Sequence, residues 1–495
     1  MNHVVSTRPI IRSPRSRARR AGRPLLLSYL LIVGSYALLF AFWQAEPVPG
    51  TAYVLAITLF AVCLFPIVRW YARGAIGVPV FEVIVLSYAV QFSMPVFTQP
   101  NVIIIFSQPF YIRWALIESV LLLAILGVVA LIGGYGLARR LPFMAHIPKI
   151  DLPLNDAGKR QVFIIGAIVV GNTITLAQAM GWLTAGAAGA IFSLLSRQMQ
   201  VALILLAYSH FRQERVVPAQ TLLLYGALAI SFITGLLTGL LENALLPLVS
   251  LTLVFWHTRR RLPWHWLAIG ITLYLVLNPA KFTYRRLVWY GATPTTAVER
   301  VSLWGDLASE SAANLLDRSS SETVLSSTLA RFDLVHKFAY VYHLTPDYIS
   351  YYNGQTYNYF IYAWIPRLVW PDKPAVSANE QIDVDYMLKQ SDSGTSIGIG
   401  QLPEAYINFG LIGIVMVMAI QGFIFALLDS SLNGSRSDGG RAIYLSVMVY
   451  FLNGIGSAAA VLFGALFQQI LANALILRLF ATGWRRHDDV KTQQS

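Results

Sequence analysis

Charge is scarce in this chain of 495 residues: only 12% are Asp, Glu, Lys or Arg. Soluble globular chains carry about 25%. That shortfall excludes a disordered chain and an ordinary water-soluble enzyme. Cysteine is nearly absent, and the single Cys63 lies within an apolar stretch, so there is no disulfide framework and no Cys-based metal site. Acidic residues number 24 against 37 Lys and Arg, giving a net charge of +13. No repeat at a fixed period and no half-to-half similarity is visible.

What is abundant is apolar sequence. Hydrophobic residues make up 56% of the chain, and they fall in blocks near the length that spans about 30 Å of hydrocarbon. The blocks are 25–43, 51–68, 79–98, 114–136, 162–181, 190–210, 220–240, 243–257, 264–280, 402–428, 442–459 and 461–479, and the pair flanking Glu242 is either two spans or one broken helix. The expected fold is all-α and polytopic, with about twelve transmembrane helices and one large loop. The domains read as a basic segment 1–24, nine spans in 25–280, the loop 281–400, three spans in 401–480 and a tail 481–495.

Lys and Arg resist translocation, so their placement gives orientation. With the N-terminus inside, the cytoplasmic segments hold 25 basic residues, while the short outer ones hold only Arg113 and Arg197. Both termini are therefore expected in the cytoplasm. The basic segment from Arg8 to Arg23 reads as topogenic and as a partner of anionic lipid rather than of nucleic acid.

The loop 281–400 breaks the pattern, with ten basic residues and half of all acidic ones. A connection of this length is functional or disordered, and its density of Tyr and Trp opposes disorder. Lys281, Arg285 and Arg286 open it, either snorkelling at the interface or forming a cationic rim; arginine meets phosphate oxygens with paired hydrogen bonds. Residues 319–344 read as one helix with a Ser319/Glu322 capping box. On it Arg331 falls within an apolar stripe, as half of a buried ion pair or facing an anion pocket. Asp333, His336, Lys337 and Tyr340 share the opposite face, where His336 is either solvated or a base oriented by Asp333.

The apolar stretch 359–370 is too short to span and suggests a re-entrant or interfacial segment, stiffened by Pro366, Pro371 and Pro374 around Arg367 and Lys373. Two cations on an aromatic track, with Tyr357, Trp364 and Trp370, fit an anionic sugar-bearing ligand. The Gly/Ser-rich turn 391–400 is a hinge or an amide cradle for an anion. Glu404 stands at the mouth of the tenth block, a costly position for an ionisable group. Glu82, Glu118 and Glu242 raise the same question, and only Glu118 and Glu242 fall near the outer face.

Three strings carry a resemblance: Gly354-Gln-Thr-Tyr357, Ile365-Pro-Arg-Leu-Val-Trp-Pro-Asp-Lys-Pro374 and Pro403-Glu-Ala-Tyr-Ile-Asn-Phe-Gly-Leu-Ile-Gly413. In these, and in its many spans with one large outer loop, the chain resembles the bacterial oligosaccharide repeat-unit polymerases, the O-antigen (Wzy-type) polymerases. The resemblance implies a GT-C-like membrane glycosyltransferase of the inner membrane with a periplasmic catalytic loop. It would move a growing glycan from undecaprenyl diphosphate onto the next lipid-linked repeat in O-antigen, capsule or exopolysaccharide synthesis. Lipid-linked oligosaccharide, membrane lipids and a chain-length regulator are the implied partners.

The resemblance carries Arg367, Lys373 and Glu404 over directly, whereas Arg331, Arg285 and Arg286 match by position as further diphosphate ligands. Glu404, His336 and Asp333 are the candidate bases, and Tyr357, Trp364 and Trp370 the candidate sugar contacts. No cofactor is expected. Asp383 and Asp385 are a conceivable metal pair, but cations at the leaving diphosphate make metal unnecessary. The alternatives are an O-antigen ligase, which differs in its acceptor, a flippase or transporter, and a non-catalytic envelope scaffold.

Overall fold

A computed structural model describes residues 14–481 except 106–107, 184–186, 214–216, 292–295, 366–368, 371, 375–377, 389–396 and 436. The chain is an all-α polytopic membrane protein in outline. Helices α1 (Pro14–Phe42) and α2 (Gly50–Ala72) lead into α3 (Val80–Tyr88), which continues through a π-helical turn to α4 (Pro95–Thr98). A small antiparallel hairpin follows, β1 (Val102–Ile105) with β2 (Gln108–Tyr111), pairing Val102 with Tyr111. Then come α5 (Trp114–Ala138), α6 (Ala157–Ala179), α7 (Ala187–Ser196), α8 (Gln198–Arg212), α9 (Pro218–Leu237), α10 (Leu241–Arg259) and α11 (Trp264–Trp289). The former loop region holds α12 (Ala297–Leu316), α13 (Arg318–Leu329), α14 (Val335–Leu344), α15 (Phe360–Ala363) and α16 (Ala378–Asp385). The chain closes with α17 (Gln401–Leu428), α18 (Asp438–Gly454) and α19 (Ala459–Phe480).

Each of the twelve apolar blocks falls on helix, and among the described residues ten helices are long and apolar enough to cross a membrane. Outside those ten are α10, which carries Glu242 and a basic last turn, and α18, which has 17 residues.

Hydrogen bonds sort the connections onto two ends. At the basic end, Val78 donates to Asn433 Oδ1 (2.9 Å), Ile150 to the Ser431 carbonyl (2.9 Å), and Arg212 pairs with Asp438 (2.5 Å). At the loop end, Leu334 donates to the Gln91 carbonyl (3.1 Å), Gln99 Nε2 to Ser326 O (3.1 Å) and Tyr352 to Ile407 O (2.9 Å). These are the two groups of segments that the charge count separates.

The central packing joins α5 to α17. Gly134 faces Ala419 and Gly422 faces Leu131 so closely that a Cβ at either position would overlap a backbone carbonyl oxygen. In lipid, where apolar burial drives little, such close backbone approach is what holds helices together.

Three expectations are revised. The ninth block does not stop at 280: α11 runs on to Trp289, so Lys281, Arg285 and Arg286 sit on its last turns, Lys281 buried with its Nζ donating to Asn278 Oδ1 (3.2 Å) and Arg286 exposed. The single helix 319–344 is broken, because α13 ends in a 3₁₀ turn, Ala330–Phe332, and the Asp333 carboxylate accepts the amide of His336 to start α14 (3.1 Å). A capping box does form, but at Thr296 and Glu299 of α12. The hairpin was not foreseen, since its residues adjoin an apolar block without a turn signal.

Candidate functional site

Two of the three strings interlock. Glu404, in the first turn of α17, is fully buried; Oε1 accepts from Thr356 Oγ1 (2.8 Å) and Oε2 from the backbone amide of Ala459 (2.7 Å), which opens α19. Asn408, one turn on, accepts from the Gly354 amide (3.0 Å) and donates to Thr356 Oγ1 (2.8 Å). Tyr357 stacks on Phe409, with ring centroids 5.9 Å apart, and its buried hydroxyl has no partner among the described residues. Burial, with the nearby Glu404 carboxylate, holds that phenol well above its usual pKa. The chain turns at Gly410 (φ 62°, ψ −146°), where the Tyr351 ring leaves no room for a Cβ without adjustment. Glu404 thus clamps the loop to α17 and caps α19, with both oxygens engaged by protein.

His336 is buried rather than on a solvated face. Nδ1 lies 2.8 Å from Asp333 Oδ2, and Nε2 lies 2.9 Å from Asn101 Oδ1, beside the hairpin. Both ring nitrogens therefore face protein partners. Of the possible metal pair, Asp383 is fully buried and takes the amides of Ile397 (2.7 Å) and Gly398 (3.1 Å), so the end of the Gly-rich turn cradles the chain's own carboxylate. Asp385 is exposed and accepts from Tyr352 Oη at 2.6 Å.

Lys373 is buried, its Nζ donating to the carbonyls of Ile365 (2.7 Å) and Ala363 (3.3 Å), so it fastens its own segment. That segment lies along α19: Trp364 meets the edge of Phe467 (6.1 Å) and Gln468 Nε2 donates to Ala363 O (2.9 Å). Trp364 and Trp370 are exposed, whereas Tyr357 is not. Arg367 lies outside the described residues.

The cations on α11 gather with one from the cap, the group of elements from α12 to α16 between α11 and α17. Arg331 is exposed on the 3₁₀ turn rather than buried in a stripe, and its guanidinium lies over the Phe282 ring at 4.3 Å; Lys281 Nζ lies 5.0 Å from the same ring. Arg285 stacks on Trp289 (4.6 Å) and donates from Nε to the Gly239 carbonyl (2.7 Å), closing the turn between α9 and α10. None of the three has a carboxylate within 4.0 Å among the described residues. Arg286 is exposed. Glu242, in the first turn of α10, acts electrostatically on both Lys281 and Arg285, as does Arg331.

Glu242 also lines a cavity of about 280 Å³ between α6, α8, α9 and α10, and Arg197 lines the same cavity. A shallower cavity of about 440 Å³ shares Gln178, Thr238, Leu240 and Asn243 with it and reaches Arg300. Arg197 breaks α7 from α8, donates to Gln469 Oε1 (3.2 Å) and lies over Tyr450 at 4.6 Å. Further polar side chains surround it at membrane depth: Gln198 donates to Asn473 (2.7 Å) and Gln200 to Ser250 (3.0 Å). Polar groups so placed are expensive and mark functional interiors. The sequence did carry a signal for these two residues, namely one charge inside the block 190–210 and one between the blocks 220–240 and 243–257, but spacing alone gave no reason to join Arg197 with Glu242.

No curated protein and no solved structure shows a detectable match to the chain. One family does match, over residues 87–481, from α3 to the end of α19. It is described as a domain of unknown function, and the chain belongs to that family, DUF8712.

Proposed function

We propose that the chain is a membrane glycosyltransferase that passes a growing glycan from a polyprenyl diphosphate to the next lipid-linked repeat unit, as the sequence resemblance implies. The observation that supports this most is the set of cations without a carboxylate within 4.0 Å among the described residues, Lys281, Arg285 and Arg331, beside a polar cavity that holds Glu242 and Arg197. In the proposed reaction the acceptor hydroxyl attacks the anomeric carbon of the donor sugar. A new carbon–oxygen bond forms as the bond to the diphosphate breaks, and the diphosphate leaves with the electron pair. Arg285, Arg331 and Lys281 hold the departing charge, which preorganised donors stabilise more than the ground state. The acceptor proton passes to a carboxylate, for which we propose Glu242, a residue that lines the cavity.

The test uses proteoliposomes or cells supplied with lipid-linked repeats, read as a glycan length ladder. Arg285→Ala with Arg331→Ala should lower polymer formation by roughly 10²–10³-fold, leaving single repeats on lipid at the outer face. A normal ladder from that variant would overturn the assignment. Repeats stranded on the cytoplasmic face would indicate a flippase instead.

A further inference from the structure

A second charged cavity lies at the opposite, basic end, remote from the cap. Its volume is about 580 Å³, within the range of small-ligand sites. Arg69, Arg73, Arg139, Arg140 and Lys149 line it, against only two carboxylates, Glu82 and Asp429. Asp429 is fully used: Oδ2 accepts from Arg139 (2.8 Å) and Tyr135 Oη (2.9 Å), and Oδ1 accepts from Asn433 (2.6 Å). Arg69, Arg73, Arg140 and Lys149 make no ion pair among the described residues. Four cations therefore converge on one concavity that contains a single further carboxylate, Glu82.

The wall is amphipathic. One turn deeper than Arg69 on α2 lies Phe65, which is exposed on the bundle surface, and Phe81, stacked on Tyr135 with centroids 3.8 Å apart, forms part of the floor. Topogenic arginines need only lie on the cytoplasmic side of a span; they need not line a shared cavity with an apolar floor. We propose that this cavity binds a phosphate group, with Arg73, Arg140 and Lys149 at its rim supplying the donors, and that the group is the head of an anionic membrane lipid. Arginine pairs suit phosphate oxygens, and the apolar floor suits the start of an acyl chain rather than a soluble anion.

The test uses the full chain in dodecyl maltoside, following thermal stability during titration with short-chain phosphatidylglycerol, short-chain phosphatidylcholine or inorganic phosphate. Saturable stabilisation by phosphatidylglycerol is expected, weakened by at least about tenfold in R73Q/R140Q, since each charge-assisted bond is worth about that factor. Both arginines are exposed, so glutamine there leaves the packing intact. Stabilisation by inorganic phosphate alone, with the same arginine dependence, would support the phosphate site but overturn the lipid as its source. No stabilisation by either, or equal stabilisation of R73Q/R140Q, would overturn the site.

Discussion

At the residue scale, Glu404 separates a catalytic from an architectural role by experiment. Both of its oxygens accept protein hydrogen bonds. In Glu404→Gln the side-chain amide turns an N–H toward either Thr356 or the Ala459 amide and leaves a buried donor without an acceptor. The expected cost is about 1–3 kcal/mol, read as a lower melting temperature. Lost activity with unchanged stability would instead make Glu404 a base. The motif pointed to Glu404 and Asn408 by number, but not to what they hold. Their partners, Thr356, Gly354 and Ala459, are brought together only by the fold. His336 shows the same limit: its Asp333 neighbour was legible at a spacing of three, whereas Asn101 lies 235 positions away and turns a reactive geometry into a buried bridge.

At the element scale, the sequence is most legible where lipid is the solvent. A span must satisfy its backbone internally and present apolar side chains, so block length alone located the ten helices long and apolar enough to cross a membrane, though not α12. Outside the lipid that constraint vanishes, and the continuous helix expected over 319–344 is broken because a single carboxylate, Asp333, restarts the helix at His336. The seam of α5 and α17 gives a direct check. Gly134→Ala should destabilise the bundle by about 1–3 kcal/mol through overpacking, while Gly133→Ala, whose Cβ meets nothing within 4 Å, should be neutral. Protease resistance or melting temperature in detergent compares the two. Equal behaviour would mean that the seam tolerates separation.

At the scale of the whole molecule, the two ends differ in charge and in content, and labelling tests the expectation that the basic end is the cytoplasmic one. The single cysteine, Cys63, is buried, so the protein is nearly a cysteine-free background for labelling. A membrane-impermeant maleimide should modify Tyr348→Cys on intact cells and Lys149→Cys only after permeabilisation, since both residues are exposed at opposite ends. The reverse pattern would invert the orientation and move the proposed transfer site to the other face.

The α5–α17 seam also bears on how the protein is made. Its two glycines, Gly134 and Gly422, are separated by about 290 residues of chain. At common synthesis rates, α5 waits on the order of 15–60 s in the bilayer before its partner is translated. During that interval its small-residue face is open to any other helix nearby. A ribosome stalled in the cap, before α17, would leave a half-bundle with this seam uncovered, a natural substrate for membrane quality control.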